Sequence, residues 1–133
     1  MNKKNGEIYF SVTYGKGISN YIDTWASEYE DLSYDLETQT FEGLVSLSSY
    51  LAYSHALPKN LSASLGFGYG KIYNNDYQPG DSFNYSYNAL LSLFWVPVKG
   101  ARLGIEFANG RRWDKDNSWG SANRVSMLLY YDF

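Results

Sequence analysis

The chain has 133 residues, a net charge of −3, no Cys and a single His, His55. One domain fits this length, and the composition excludes a disulfide scaffold, thiol chemistry and a thiolate metal site, with no ground for a His-based metal centre or a Ser-His-Asp triad. The mildly acidic balance argues against nucleic acid as a partner. Aromatics make up 19% of the residues, with 14 Tyr, 7 Phe and 4 Trp. Such residues suit pleated sheets, and Tyr and Trp also suit a membrane–water interface.

Met1-Asn2-Lys3-Lys4 has the charge of a leader, but Asn5, Gly6 and Glu7 stand where an apolar segment should begin, so no signal peptide is read. Residues 7–14 then alternate: Ile8, Phe10, Val12 and Tyr14 on one face, Glu7, Tyr9, Ser11 and Thr13 on the other. That is a strand. Residues 15–40 read as a long acidic external loop. Alternation returns at 41–55, with Val45, Leu47, Leu51 and Tyr53 opposite Glu42, Ser46, Ser48 and Tyr50. Leu57-Pro58-Lys59-Asn60 is a tight turn. Residues 61–72 set Leu61, Ala63, Leu65, Phe67 and Tyr69 against Ser62, Ser64 and three glycines. A polar loop at 73–82 precedes a strand at 83–96, where Tyr85, Tyr87, Leu91, Leu93 and Trp95 oppose Asn84, Ser86, Asn88 and Ser92. After a tight turn, residues 101–112 put Leu103, Ile105 and Phe107 opposite Arg102, Glu106 and Arg112. A third polar loop at 113–122 leads to the last strand, 123–133, with Val125, Met127, Leu129, Tyr131 and Phe133 opposite Arg124, Ser126 and Tyr130.

The expected fold is therefore all-β: an up-and-down antiparallel meander of about six long strands, of the transmembrane β-barrel type, either a fragment or a mini-barrel, in a single segment 1–133. Soluble strands commonly have about 5–6 residues; a tilted membrane strand needs about 9–11. The longest apolar run, Leu93 to Val98, is far short of the roughly 20 residues a membrane helix requires. Odd connections read as long and even ones as short, the asymmetry of outer-membrane barrels. Aromatics on the apolar face gather toward strand ends: Tyr53, Trp95, Tyr131 and Phe133 at the short-turn end, Tyr14, Phe41, Tyr69, Tyr85 and Trp113 at the long-loop end. That is a girdle facing lipid.

Charge is segregated. Between Lys16 and Lys59 there is no Lys or Arg, and the stretch holds seven of the 14 acids, Glu42 among them. Six of the 11 basic residues lie between Lys99 and Arg124. Opposed acidic and basic walls would give a pore a transverse field. The expected pore lining is Arg102, Glu106, Arg112, Arg124 and Glu42. Arg112 should sit nearest Arg124, with Arg102 and Glu106 lower, forming a positive wall. In water the same arginines would make surface ion pairs of little value.

Other motifs carry less. Gly66-Phe67-Gly68-Tyr69-Gly70 lacks P-loop spacing, and its glycines make room on one strand face. Asp114-Lys115-Asp116 has a calcium-loop flavour, but Trp119 stands where Gly is needed. No pair of carboxylates is singled out for glycoside hydrolysis. His55 reads as an interfacial or packing residue. Neither catalysis nor a metal or other cofactor is expected.

The segment from Leu93 to Arg112, Leu-Phe-Trp-Val-Pro-Val-Lys-Gly-Ala-Arg-Leu-Gly-Ile-Glu-Phe-Ala-Asn-Gly-Arg-Arg, resembles the penultimate hairpin of the DcaP-like trimeric porins of Gram-negative bacteria. Gly15-Lys-Gly-Ile-Ser-Asn-Tyr-Ile22 and the ending Ala122-Asn-Arg-Val-Ser-Met-Leu-Leu-Tyr-Tyr-Asp-Phe133 are similar to an upstream strand end and the last strand of that family. The resemblance covers about residues 6–133. It implies the C-terminal part of a trimeric outer-membrane barrel with a basic constriction for dicarboxylates and other small anions. Natural single-chain barrels begin at about eight strands, so six do not make a porin. The ending, with Tyr131 and Phe133, is similar to the signal read by the barrel assembly machinery. Outer-membrane lipids and that machinery are the partners implied. The rival expectation is a soluble β-barrel or β-sandwich that binds a sugar or apolar ligand; a membrane-barrel enzyme using loop carboxylates ranks last.

Overall fold

The computed structural model describes residues 6–19 and 31–132. Period-two alternation becomes strand throughout. The elements are β1 (Gly6–Lys16), β2 (Leu32–Asp35), β3 (Thr40–Gly43), β4 (Val45–Leu57), β5 (Leu61–Tyr73), β6 (Phe83–Trp95), β7 (Ala101–Asp114) and β8 (Trp119–Tyr131). Six of them form one antiparallel sheet in the order β1-β4-β5-β6-β7-β8; β2 and β3 form a separate hairpin. Sheet neighbours follow chain order, as an up-and-down meander requires. Among the described residues β1 and β8 pair with no further strand, so the sheet is open at both edges.

The turns explain the tight connections. Lys59 and Asn60 both adopt positive φ, 61° and 60°, and close β4 onto β5. Gly100, at φ 87°, lets its carbonyl accept from the Asp132 N–H at 2.8 Å, tying the β6–β7 turn to the end of β8.

Two expected boundaries are corrected. Residues 41–55 do not form one strand, because the chain breaks at Leu44. Its side chain turns inward, 1% exposed, to cluster with Ile72 and Phe83. Its N–H donates to Asp31 and its carbonyl accepts from Gly17, so its backbone leaves the ladder. Phe41 is consequently on β3, stacked obliquely on Tyr34 at 4.9 Å, and not in the girdle of the main sheet. Nor is 113–122 a long loop. β7 and β8 extend toward each other until Trp113 faces Trp119, leaving a turn of residues 115–118. Gly120, Ser121 and Ala122 carry no strand signal of their own, and pairing with β7 supplies it.

The sheet has two unlike faces. Cross-strand partners share a face, so the register aligns Phe10, Leu51, Phe67, Ala89, Asn109 and their row-mates on one side. Leu65, Leu91, Ile105 and Leu129 are exposed there, and Val45 and Leu47 are half-buried. The buried apolar residues lie elsewhere: Leu44, Ile72 and Phe83 cluster at the long-loop end, and Ala52 is on the polar face. Among the described residues no second layer covers the apolar face, as a sandwich core would require.

Candidate functional site: the polar face of the sheet

The expected lining residues separate once their contacts are read. Arg102, Glu106 and Arg112 fall on even positions of β7, and Arg124 opposes Ala108, so these four share the polar face. From the short-turn end the order is Arg102, Glu106, Arg124, Arg112. Four residues of strand separate the levels of Arg124 and Arg112, about 13 Å.

Each arginine has its own seat. Arg124 Nη2 donates to Glu106 Oε1 at 3.0 Å, and the other Glu106 oxygen accepts from Ser92 Oγ at 3.1 Å. Arg112 Nε donates to Asp114 Oδ1 at 2.7 Å, and its guanidinium lies 5.2 Å from the centre of the Phe83 ring. The Arg102 guanidinium sits 4.0 Å over the Phe94 ring. The bare positive wall is therefore corrected: two of the three arginines are paired with carboxylates. The pairs are lopsided, however. The Arg124 side chain is 67% exposed and Glu106 22%; Arg112 is 39% exposed and Asp114 22%. The carboxylate lies beneath and the guanidinium on top, so a solute near this face meets cationic N–H groups first.

Small residues make room for these seats. A Cβ on Gly104 would come within 2.5 Å of the Phe94 ring, so glycine is required where that ring lies flat under Arg102. The glycines of β5 do the same work: Gly66 accommodates the Tyr50 hydroxyl and Gly68 the Asn88 amide. The run that faintly suggests a phosphate loop is thus explained by side chains crossing the polar face.

Glu42 is not on this face. It lies on β3, off the main sheet, where Lys16 Nζ approaches at 3.4 Å and Asn75 Nδ2 donates at 3.2 Å. Tyr77 and Ser33 complete that network, which docks the β2–β3 hairpin on the 74–82 loop. An opposed acidic wall is therefore not formed by Glu42. Asp23, Glu28 and Glu30 lie outside the described residues, as does Phe133.

Several residues escaped sequence reasoning. Lys115 Nζ donates to the carbonyls of Asn75, Asp76 and Gln78, all at 2.8 Å, and fastens the 74–82 loop to the β7–β8 turn. Backbone bonds from Lys115 N to Ser82 O and from Asp116 N to Gly80 O reinforce it. A lysine in a polar turn carries no signal of such a role. Asp114 and Ser92, which seat the arginines, are equally silent in sequence.

On the opposite face the aromatics form a band at the long-loop end. Tyr85 stacks on Trp113 at 4.8 Å, Tyr87 lies 5.6 Å from Trp113, Tyr69 lies 6.4 Å from Tyr85, and Phe67 stacks on Tyr87 at 5.9 Å. The Arg111 guanidinium sits 4.7 Å over the Trp119 ring, a member that periodicity hid by assigning Trp119 to a loop. Tyr14 lies at the same end, on β1. Tyr53 and Trp95 lie toward the short-turn end, with Tyr53 bonded to His55 Nδ1 at 2.8 Å. Tyr131 pairs with Ala101 at that end. From Trp95 to Tyr85 the strand runs about 33 Å; at a barrel tilt near 40° that spans about 25 Å, the height of an outer-membrane apolar band.

No family model and no curated protein matches the chain. Among solved structures, the outer membrane channel DcaP of Acinetobacter baumannii is similar over 100% of this chain, with TM-score 0.81 and 21% sequence identity. The chain spans 38% of that channel's length. The likeness is one of fold: this sheet is built like a stretch of an outer-membrane channel's barrel wall.

Proposed function

We propose that this chain is part of the wall of an outer-membrane β-barrel channel, through which small anionic solutes, dicarboxylates among them, diffuse passively. The observation that carries the reading is the two-faced sheet. One face is apolar, uncovered and bounded by aromatics about a bilayer apart; the other is Ser, Gly and Asn with raised guanidinium groups. In lipid every strand edge must be paired. The β1 and β8 edges are then completed by further strands of a closed barrel. Such a channel needs a diameter and a field, and no catalytic residue. Three guanidinium groups, two raised above a carboxylate and one over the Phe94 ring, bias the lumen toward anions. In this reading a homo-oligomer, a trimer as in the resembled family, is the assembled state, and Tyr131 with Phe133 addresses the barrel assembly machinery.

The test is reversal potential in a salt gradient across a planar bilayer holding the channel that contains this chain. Arg124→Ser and Arg112→Ser should each reduce anion preference, whereas Glu106→Gln should increase it. Reversal potentials that stay fixed in all three variants would mean that the arginines only decorate a solvated surface.

A further inference from the structure

The lower part of the apolar face is not flat. A groove of about 450 Å³ is lined by Leu61, Trp95, Leu103, Met127 and Leu129, with little polar surface. Its lower row is continuous across four strands, because Leu61 opposes Trp95, Trp95 opposes Leu103 and Leu103 opposes Leu129. Next to it, between the two short turns, lies a hollow of about 720 Å³ bordered by Lys59, Asn60, Pro97 and Lys99. Leu61 borders both. The Val96 N–H donates to Asn60 O at 3.0 Å and holds the two turns side by side. Among the described residues neither lysine has an ion-pair partner. Apolar groove and cationic hollow therefore meet at Leu61.

We propose that this joined groove and hollow bind an anionic glycerophospholipid, with an acyl chain against Leu61, Leu103, Met127 and Leu129 and the phosphate at Lys59 and Lys99. The proposal rests on the membrane reading above. An acyl chain matches a groove without hydrogen-bonding groups, and only a ligand with an anionic end also uses the lysines. Trp95, at the boundary between the two, suits the glycerol level, where amphipathic rings settle. A second copy of the chain fits less well. Copies related by an axis along the membrane normal bring Lys59 and Lys99 of each to the same level, like charge near like.

The experiment reconstitutes the channel that contains this chain into vesicles containing acyl-brominated phosphatidylglycerol or acyl-brominated phosphatidylcholine. Trp95 quenching is read as the difference between the wild type and Trp95→Phe. Phosphatidylglycerol should associate more tightly by about fivefold for each lysine. The preference should disappear in the Lys59→Ser/Lys99→Ser double variant, with insertion unchanged. Equal association of the two lipids with an inserted wild-type channel would overturn the site. Weak quenching by both would overturn it too, because a protein surface would then cover the groove. Failure to insert into either vesicle, read as extraction by carbonate, would instead overturn the membrane reading.

Discussion

Lys115 shows how much one side chain organises at the long-loop end. Its ammonium accounts for three carbonyls of the 74–82 loop that would otherwise need water. Hydrogen bonds to a charged group are worth more than neutral ones. Lys115→Met should therefore release the loop, costing about 2 kcal/mol locally, and amide hydrogen exchange should accelerate over 74–82 while β5 and β6 stay protected. The neighbouring Asp116 is held below its ordinary pKa, first by the Ser118 hydroxyl and then by the Ser118 N–H. A depressed folded pKa means stabilisation that is present above the ordinary aspartate value and lost as pH falls through the lowered one. Exchange at Ser118 should rise on acidification below the usual carboxylate range. Asp116→Asn should show no such acid step.

At the scale of elements the seats of the arginines are the testable unit. Phe94 of β6 can lie under Arg102 of β7 because Gly104 offers no Cβ. Gly104→Ala should push the ring aside, since the outer part of a side chain moves more easily than a strand, at a cost of about 1 kcal/mol. The ring-current shift of the Arg102 Nε–H resonance should shrink, and the Arg124–Glu106 pair, two residues up the strand, should keep its own resonances. These seats were partly legible in the sequence. Period two put Arg102, Glu106, Arg112 and Arg124 on one face, because the side-chain period of a strand is fixed by the pleat. It could not show which acid lies under which arginine. For Arg124 that depends on the β7–β8 register, set by the unexpected closure of β7 on β8 at Trp113 and Trp119, and for Arg112 on β7 continuing through Asp114. Composition misled there: Gly120, Ser121 and Ala122 look like loop and are strand. It misled again at Leu44, an apolar residue in an alternating run that leaves the sheet to fill a small core with Ile72 and Phe83. Glu42 was separated from the other proposed lining residues by that same break.

The whole molecule poses one question, namely what solvent the apolar face meets. Ile8, Phe10, Leu65, Leu91, Ile105 and Leu129 are exposed on one continuous side, and Met127 is 87% exposed. Soluble monomers rarely leave so large an apolar wall open to water. A pair of arginine substitutions separates the two environments. Leu91 lies mid-strand on the apolar face, between Leu65 and Phe107. Ser126 lies mid-strand on the polar face, opposite Glu106. If the apolar face meets lipid, Leu91→Arg places a charge near the bilayer midplane at a cost of about 2–4 kcal/mol. Ser126→Arg faces the lumen, beside an acid, and should cost far less. The expected result is that Leu91→Arg lowers the yield of carbonate-resistant, vesicle-inserted channel containing this chain, while Ser126→Arg inserts like the wild type. In water the order reverses, because an arginine on an exposed apolar wall improves solubility, whereas one at Ser126 adds nothing. Equal insertion of both variants, or better recovery of Leu91→Arg without detergent, would place the apolar face in water and remove the basis for a channel.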